Sequence, residues 1–489
     1  MAAKTIIIGF DGLDRDILDD LIAKGETPAF AALKERSARV DLRSEPGMGA
    51  GVFWQSAATG TAPDYHGRYF YIQHDPRTYN VSQKLGRDED RPPNFWKTLG
   101  EEGLRTHVTD WHRAFFQQTR NGVVIDNWRA HDPTGPARSH PKGAIRILAS
   151  LFGDDPTPGG FGAKSDQHGA NVADFMVSTE KRIAQKARHM ADMAASGDWD
   201  LVSTTFGEAH DIGHYLFHYH DPSHPLYDAA MAEPVGDPIH RCYRALDAAV
   251  GAIVNAADED AAIMVLAGPG MTTMVSANTA MAEIAQRLDT GGPPSAIDKV
   301  RAGYKSNMPF KLRSRISPLA RLARRTFADH AMKTRRYFAI PHNDNAGAIR
   351  INLKGRERHG VVAPGAECKQ VIADLTDALM MLRNKETGAP VVGNIVNLMA
   401  SYDGPYAADL PDLYVEWDRE NNSQNFATIT SPLTGDIIVP SPLRTGDHTP
   451  DGFVWGKGID ASLMPAHAPA PPQSVHDIIL HTARSQMGA

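Results

Sequence analysis

"KTIIIGFDGLDRDILDD", Lys4–Asp20, decides how the chain is read. From Thr5 to Phe10 the run shows no polar alternation, which suits a strand buried on both faces of a sheet. Asp11-Gly12 breaks the run, and a helical pattern follows over Asp14–Leu33. Strand, acidic turn and helix make the opening of a parallel α/β unit. The same alternation returns along the chain. Strands are expected at 4–10, 105–111, 200–206, 261–267 and 347–353, with helices at Asp174–Ala195 and Pro238–Ala257. The expected fold class is therefore α/β, with a mainly parallel central sheet flanked by helices.

The 489 residues are read as a single α/β domain with excursions. Residues 130–172, rich in Gly and Pro, and 290–340 read as insertions forming a cap. The stretch 465–489 reads as a Pro-rich connector and a closing helix. Composition is that of a soluble globular protein, 42% hydrophobic and 22% charged, and a net charge of −7 gives no case for nucleic-acid binding. No apolar run is long enough for a membrane span. Two cysteines argue against a disulfide framework, so a cytoplasmic location is expected.

Ligands in open α/β sheets bind beyond the carboxyl ends of the strands, so the residues after each strand come first. Asp11 follows the first strand; from its position alone it is equally a helix N-cap. "GEAHDIGHYLFHYHD" (207–221) follows another. There His210 and His214 share one helical face, a common arrangement for two metal ligands, although a polar helix start has the same pattern. Glu208 stands beside them as a candidate base or as an acceptor behind a histidine. "GPGM" (268–271) follows a third strand, and His448 stands in a late loop, "TGDHTPDGFVW".

Together these segments resemble the alkaline phosphatase superfamily, and within it the type I phosphodiesterase/nucleotide pyrophosphatase family. The resemblance rests on "IIIGFDGLDRDILDDLIAKGETPAFAAL", "FWQSAATGTAPDYHGRYFY", "HDIGHYLFHYHDPSHPLYD" and "GDHTPDGFVW", in that order. It implies a metal site on His210, His214 and His448, with Asp11 as a further ligand. It also implies departures. The family's nucleophilic Thr or Ser, counted back from Thr59, falls on Ala50. The family's Ser-Asp-His-Gly-Met is here Ala267-Gly268-Pro269-Gly270-Met271, so Gly268 and Pro269 carry no ligand.

The expected activity is a metal-dependent hydrolase or lyase without a Thr or Ser nucleophile, in which Glu208 or Asp11 assists a metal-activated water. One divalent ion is expected, Zn²⁺ first and Mn²⁺ second. Two other readings stay open: a conventional phosphodiesterase trapped by an artificial alanine at position 50, and a non-catalytic binding member. The expected partner is an anionic small molecule or glycoconjugate. Arg301–Arg336 carries eleven basic residues against Asp329 alone and is a candidate rim for it. Arg350, Asn352 and Arg356, in a block that also resembles this family, have the chemistry to bind an anion or sugar; pairing within a strand edge explains them equally.

Overall fold

The computed structural model describes residues 3–82, 88–133, 135–158, 160, 170–291, 332–441, 444–463, 465 and 469–486. Residues 301–331 of the basic run lie outside the described residues. The chain forms two compact units, where the sequence reading took one domain with insertions. The first holds Met1–Tyr71, Lys84–Met274 and Leu443–Ala489; the second holds Ile72–Gln83 and Val275–Pro442.

An eight-stranded sheet organises the first unit. Its strands, in chain order, are β1 (Thr5–Phe10), β2 (Ala38–Arg43), β3 (Thr106–Thr109), β4 (Gly122–Asp126), β5 (Arg138–His140), β6 (Leu201–Phe206), β7 (Ala262–Ala267) and β8 (Asp451–Lys457). They lie in the order β2-β8-β7-β1-β6-β3-β4-β5. Pairing from β7 through β1, β6 and β3 to β4 is parallel; β2, β8 and β5 join antiparallel at the two edges. The segment 130–172, read as an excursion, thus supplies the edge strand β5.

Every residue of β1, β6 and β7 is buried, which explains the apolar runs of β1 after Thr5 and of β7; β6 buries Ser203, Thr204 and Thr205 as well. The pleat sends alternate side chains to opposite faces. Ile6, Ile8 and Phe10 pack with Leu18, Ile183, Ile212 and Leu246 of helices on one face. Ile7 packs with Phe53, Trp54, Trp96 and Ile479 on the other. Each fully buried side chain of this size contributes about 1.5–3 kcal/mol.

The expected helix over 14–33 is two helices, Arg15–Ala23 and Pro28–Glu35. Pro28 opens the second, where its missing N–H matters least. Asp14 caps the first: Oδ1 accepts from the amides of Asp16 (3.0 Å) and Ile17 (3.2 Å). The capping role left open for Asp11 therefore falls to Asp14.

The second unit is built on an antiparallel sheet in the order Tyr337–Ile340, Ala346–Ile351, Leu413–Trp417, Val392–Asn397. The strand expected at 347–353 belongs here rather than to the parallel sheet. It is apolar because its inward residues, Ile349 and Ile351, pack on Ile284, Leu375 and Leu379.

Gly12 joins β1 to the ligand-bearing end of the sheet. Its φ is +77°, and a Cβ there would stand 2.6 Å from the backbone of His210. Gly25 has a similar φ of +74° but open space around it. Both alanine variants bear the left-handed strain, about 1–3 kcal/mol. Only Gly12→Ala adds the clash, so its thermal midpoint is expected to fall further than that of Gly25→Ala. Equal falls would contradict the close approach of β1 to His210.

Candidate metal centre

Asp11 leaves β1 at the carboxyl end of the sheet, and its side chain is fully buried. Its amide donates to the Phe206 carbonyl at the end of neighbouring β6 (2.9 Å). Trp54 Nε1 donates to Oδ1 at 3.0 Å. The indole is itself fixed, because Trp111 packs edge-on against it (5.4 Å) and donates to the Trp54 carbonyl. On Oδ2, His131 Nε2 makes a hydrogen bond of 2.8 Å. Burial alone would raise the Asp11 pKa. The charge of His112 and the hydrogen bond and charge of His131 outweigh it and hold the carboxyl well below its usual range.

After β6 comes Gly207, where a Cβ would overlap His131 Nδ1, and the chain turns into the helix Glu208–His220. One turn apart on it, the rings of His210 and His214 are 4.4 Å from centre to centre. His448 comes from the short strand Gly446–His448, which pairs with Met271–Thr273, and its ring centre is 5.0 Å from each of the other two. Each histidine offers one ring nitrogen, and these atoms lie within 4.8 Å of one another.

The backbone orients two of the rings. His214 Nδ1 donates to the Gly446 carbonyl at 2.8 Å, and His448 Nδ1 faces the carbonyls of Gly270 (3.1 Å) and Pro269 (3.2 Å). A proton on Nδ1 leaves the lone pair on Nε2, the form a metal ligand needs. His210 Nδ1 is buried without a hydrogen-bond partner among the described residues. Burial, followed by the charge of His131, pushes the His210 pKa well down; burial and then Arg444 do the same to His214. Neutral rings at His210 and His214, with the unpartnered nitrogen of His210, fit a divalent cation.

Two arginines border this cluster. Arg444 Nη1 lies 3.5 Å from His214 Nε2. The Arg113 stem crosses Gly51, in the first turn of the helix Ala50–Thr59. Its Nη2 meets Asp132 at 3.3 Å, while Nη1 is buried with no hydrogen-bond partner among the described residues. Burial lowers its pKa, the charges of Asp132 and Asp11 oppose that, and Arg444 is close enough to add repulsion.

The other expected site residues have different surroundings. Glu208 lies 3.4 Å from Arg182 and 3.6 Å from Lys186, all three buried. Its oxygens make no hydrogen bond to an imidazole among the described residues; it lies against two interior cations instead. Arg350, Asn352 and Arg356 belong to the second unit. Arg350 is fully buried, bonded to Glu357 (2.6 Å) and to the carbonyls of Leu410 and Ala408. Arg356 forms a bidentate pair with Asp412, and the Asn352 amide donates to three carbonyls. Their donors are committed to protein acceptors, the structural pairing that the sequence left open. Ser56 and Thr59 bond His66 and the Gln55 carbonyl, so neither hydroxyl replaces the one missing at position 50. Gly268 has a steric reason: a Cβ there would stand 3.0 Å from Trp54 Nε1 and 3.2 Å from Asp11 Oδ1.

His112, His131, Trp54, Arg113 and Arg444 were not singled out from sequence. The first two had a usable signal, since His112 stands three residues after β3 and His131 five after β4, at the same end of the sheet as Asp11.

A parallel sheet that gathers a carboxylate and histidines beyond its strand ends is the architecture of the alkaline phosphatase superfamily, and this chain is a member of it. More narrowly, it belongs to the type I phosphodiesterase/nucleotide pyrophosphatase family, whose sequence profile matches residues 5–425. No curated protein sequence matches it. Among solved structures, phosphonoacetate hydrolase from Sinorhizobium meliloti 1021, in complex with phosphonoformate, superposes with a TM-score of 0.55 at 14% identity, over 99% of this chain and 96% of that one. Murine ectonucleotide pyrophosphatase/phosphodiesterase 5, inactive and in complex with AMP, gives a TM-score of 0.49 at 12% identity, over 99% and 95%. The likeness to the hydrolase is one of fold.

Trp54→Phe keeps the packing and removes the Nε1–H on Asp11. The expected effect is a loss of about 1–3 kcal/mol, read as a lower thermal midpoint of the chelated protein. An unchanged midpoint would mean that Asp11 does not depend on this donor.

Proposed function

We propose that this chain is a metal-dependent hydrolase of small anionic substrates, phosphoryl or phosphonyl compounds foremost. The observation that carries the reading is the convergence of His210, His214 and His448, with two Nδ1 atoms turned to backbone carbonyls. These three residues would hold one divalent ion, Zn²⁺ before Mn²⁺ because the donors are all nitrogen. Such an ion supplies a Lewis acid and lowers the pKa of water toward about 7.

Arg113 and Arg444 are positioned to bind the anion. Arg113 in particular carries a buried Nη1 with no hydrogen-bond partner among the described residues, and its stem lies against Gly51. The phosphonoformate and AMP held by the two structural relatives have the matching chemistry. Ala50 provides no hydroxyl, so hydrolysis by this chain proceeds through direct attack of water, without a covalent enzyme intermediate. Asp11 and His131 orient the polar wall of the site through their mutual hydrogen bond. The setting we propose is the cytoplasm, which suits two buried, unpaired cysteines, Cys242 and Cys368. No described helix is long and apolar enough to cross a membrane.

The first test is hydrolysis of bis(4-nitrophenyl) phosphate and phosphonoacetate with added Zn²⁺ or Mn²⁺, alongside metal analysis. His214→Ala is expected to lose the ion and the activity together; full activity in chelator would overturn the reading. Arg113→Met is expected to raise KM about tenfold or more while metal content holds. An unchanged KM would remove Arg113 from substrate binding. With a chiral phosphorothioate diester, direct attack by water gives inversion at phosphorus. Net retention would reveal a covalent intermediate and contradict the assignment.

A further inference from the structure

The helix that carries His210 and His214 ends at His220, and the chain returns in the helix Pro238–Ala256, capped by Asp237. His220 stands six residues beyond His214, about 9 Å further along the helix. At this junction two imidazoles converge on one carboxylate oxygen. His220 Nδ1 lies 2.8 Å from Asp237 Oδ2, and His240 Nδ1 lies 3.3 Å from the same atom. The two rings are 5.0 Å apart from centre to centre. Asp237 Oδ1 is engaged separately, accepting from the His240 amide at 3.0 Å. Each residue offers one ligand atom, and these atoms lie within 4.8 Å of one another. The side chains keep 20% to 26% of their surface exposed, so the trio is open to solvent.

We propose that His220, Asp237 and His240 hold a structural Zn²⁺ ion at the surface, at a site separate from the His210, His214 and His448 centre. Zinc bonds of about 2.0–2.2 Å set neighbouring ligands of a tetrahedron about 3.3 Å apart. The two nitrogen–oxygen separations here, 2.8 and 3.3 Å, are close to that edge. With the ion in place, each neutral ring keeps its proton on Nε2 and turns the Nδ1 lone pair to the metal. Solvent fills the fourth position. Two nitrogens and one carboxylate suit zinc, whereas Ca²⁺ and Mg²⁺ need shells of oxygen. The consequence is mechanical. Both helices belong to one apolar core that includes Leu216, Phe217, Ile239 and Tyr243. An ion at the junction ties the end of the ligand-bearing helix to the start of the next one and closes the connection 221–236 between them.

The inference goes beyond the proposed hydrolase and is separable from it, because His214→Ala disables the first centre and leaves this one. Chelated full-length His214→Ala protein is titrated with Zn²⁺, with binding followed by calorimetry and by the thermal midpoint. Binding at the junction is expected, with a rise in the midpoint as zinc is added. Adding His220→Gln or His240→Gln is expected to weaken that binding about 100-fold or more, since losing a mere supporting partner of a metal ligand already costs about 10–100-fold. Asp237→Asn keeps a capping side chain, removes the charge, and is expected to weaken it likewise. Near-UV circular dichroism checks that each variant is folded. No zinc binding by His214→Ala, or binding that all three further variants leave unchanged, would overturn the surface site. Failure of the hydrolase reading shows elsewhere, as activity in chelator that matches the metal-loaded wild type.

Discussion

A buried carboxylate at the end of the first strand is the constraint on which this unit depends. Asp11 has no access to water, and its charge is tolerated only because surrounding groups replace that water. Trp54 supplies one hydrogen bond and His131 another, and each is held in turn by packing that reaches into the core. The small residues nearby follow from the same requirement. Gly9, Gly207 and Gly268 each stand where a Cβ would collide with Trp54 or His131. The glycines at the strand ends are thus the counterpart of large, polar or aromatic side chains brought against the backbone.

That arrangement changes what the family fold can do here. The helix Glu208–His220 and the strand Gly446–His448 keep one set of imidazoles together by anchoring their rings to backbone carbonyls. Around Asp11 stand histidines from two other connections, and the Arg113 stem lies against Gly51. In the function we propose, the substrate anion is held by charge and attacked by water, since position 50 is an alanine.

Much of this was legible in the residues. Apolar runs over 6–10 and 262–267 identify strands covered on both faces, β-branched residues mark 201–206, and the parallel order follows from the helices between them. His210 and His214 are visible because a helix gives them a fixed four-residue spacing. His112 and His131 carry no such spacing, for they belong to separate loops that meet only through the pairing of β3, β4 and β6. Glu208 misleads because nearness in sequence to His210 says nothing of direction, and its side chain turns to Arg182 and Lys186. Arg350 and Arg356 mislead for a related reason: their partners include Asp412, more than fifty residues away, and no local pattern announces that pairing.

The most direct measurement is anomalous diffraction at the zinc edge from crystals grown with Zn²⁺. The account expects a peak about 2.0–2.1 Å from a ring nitrogen of each of His210, His214 and His448. Zinc bound only at the partly exposed His220, Asp237 and His240 cluster, or no ordered zinc in the protein, would contradict it.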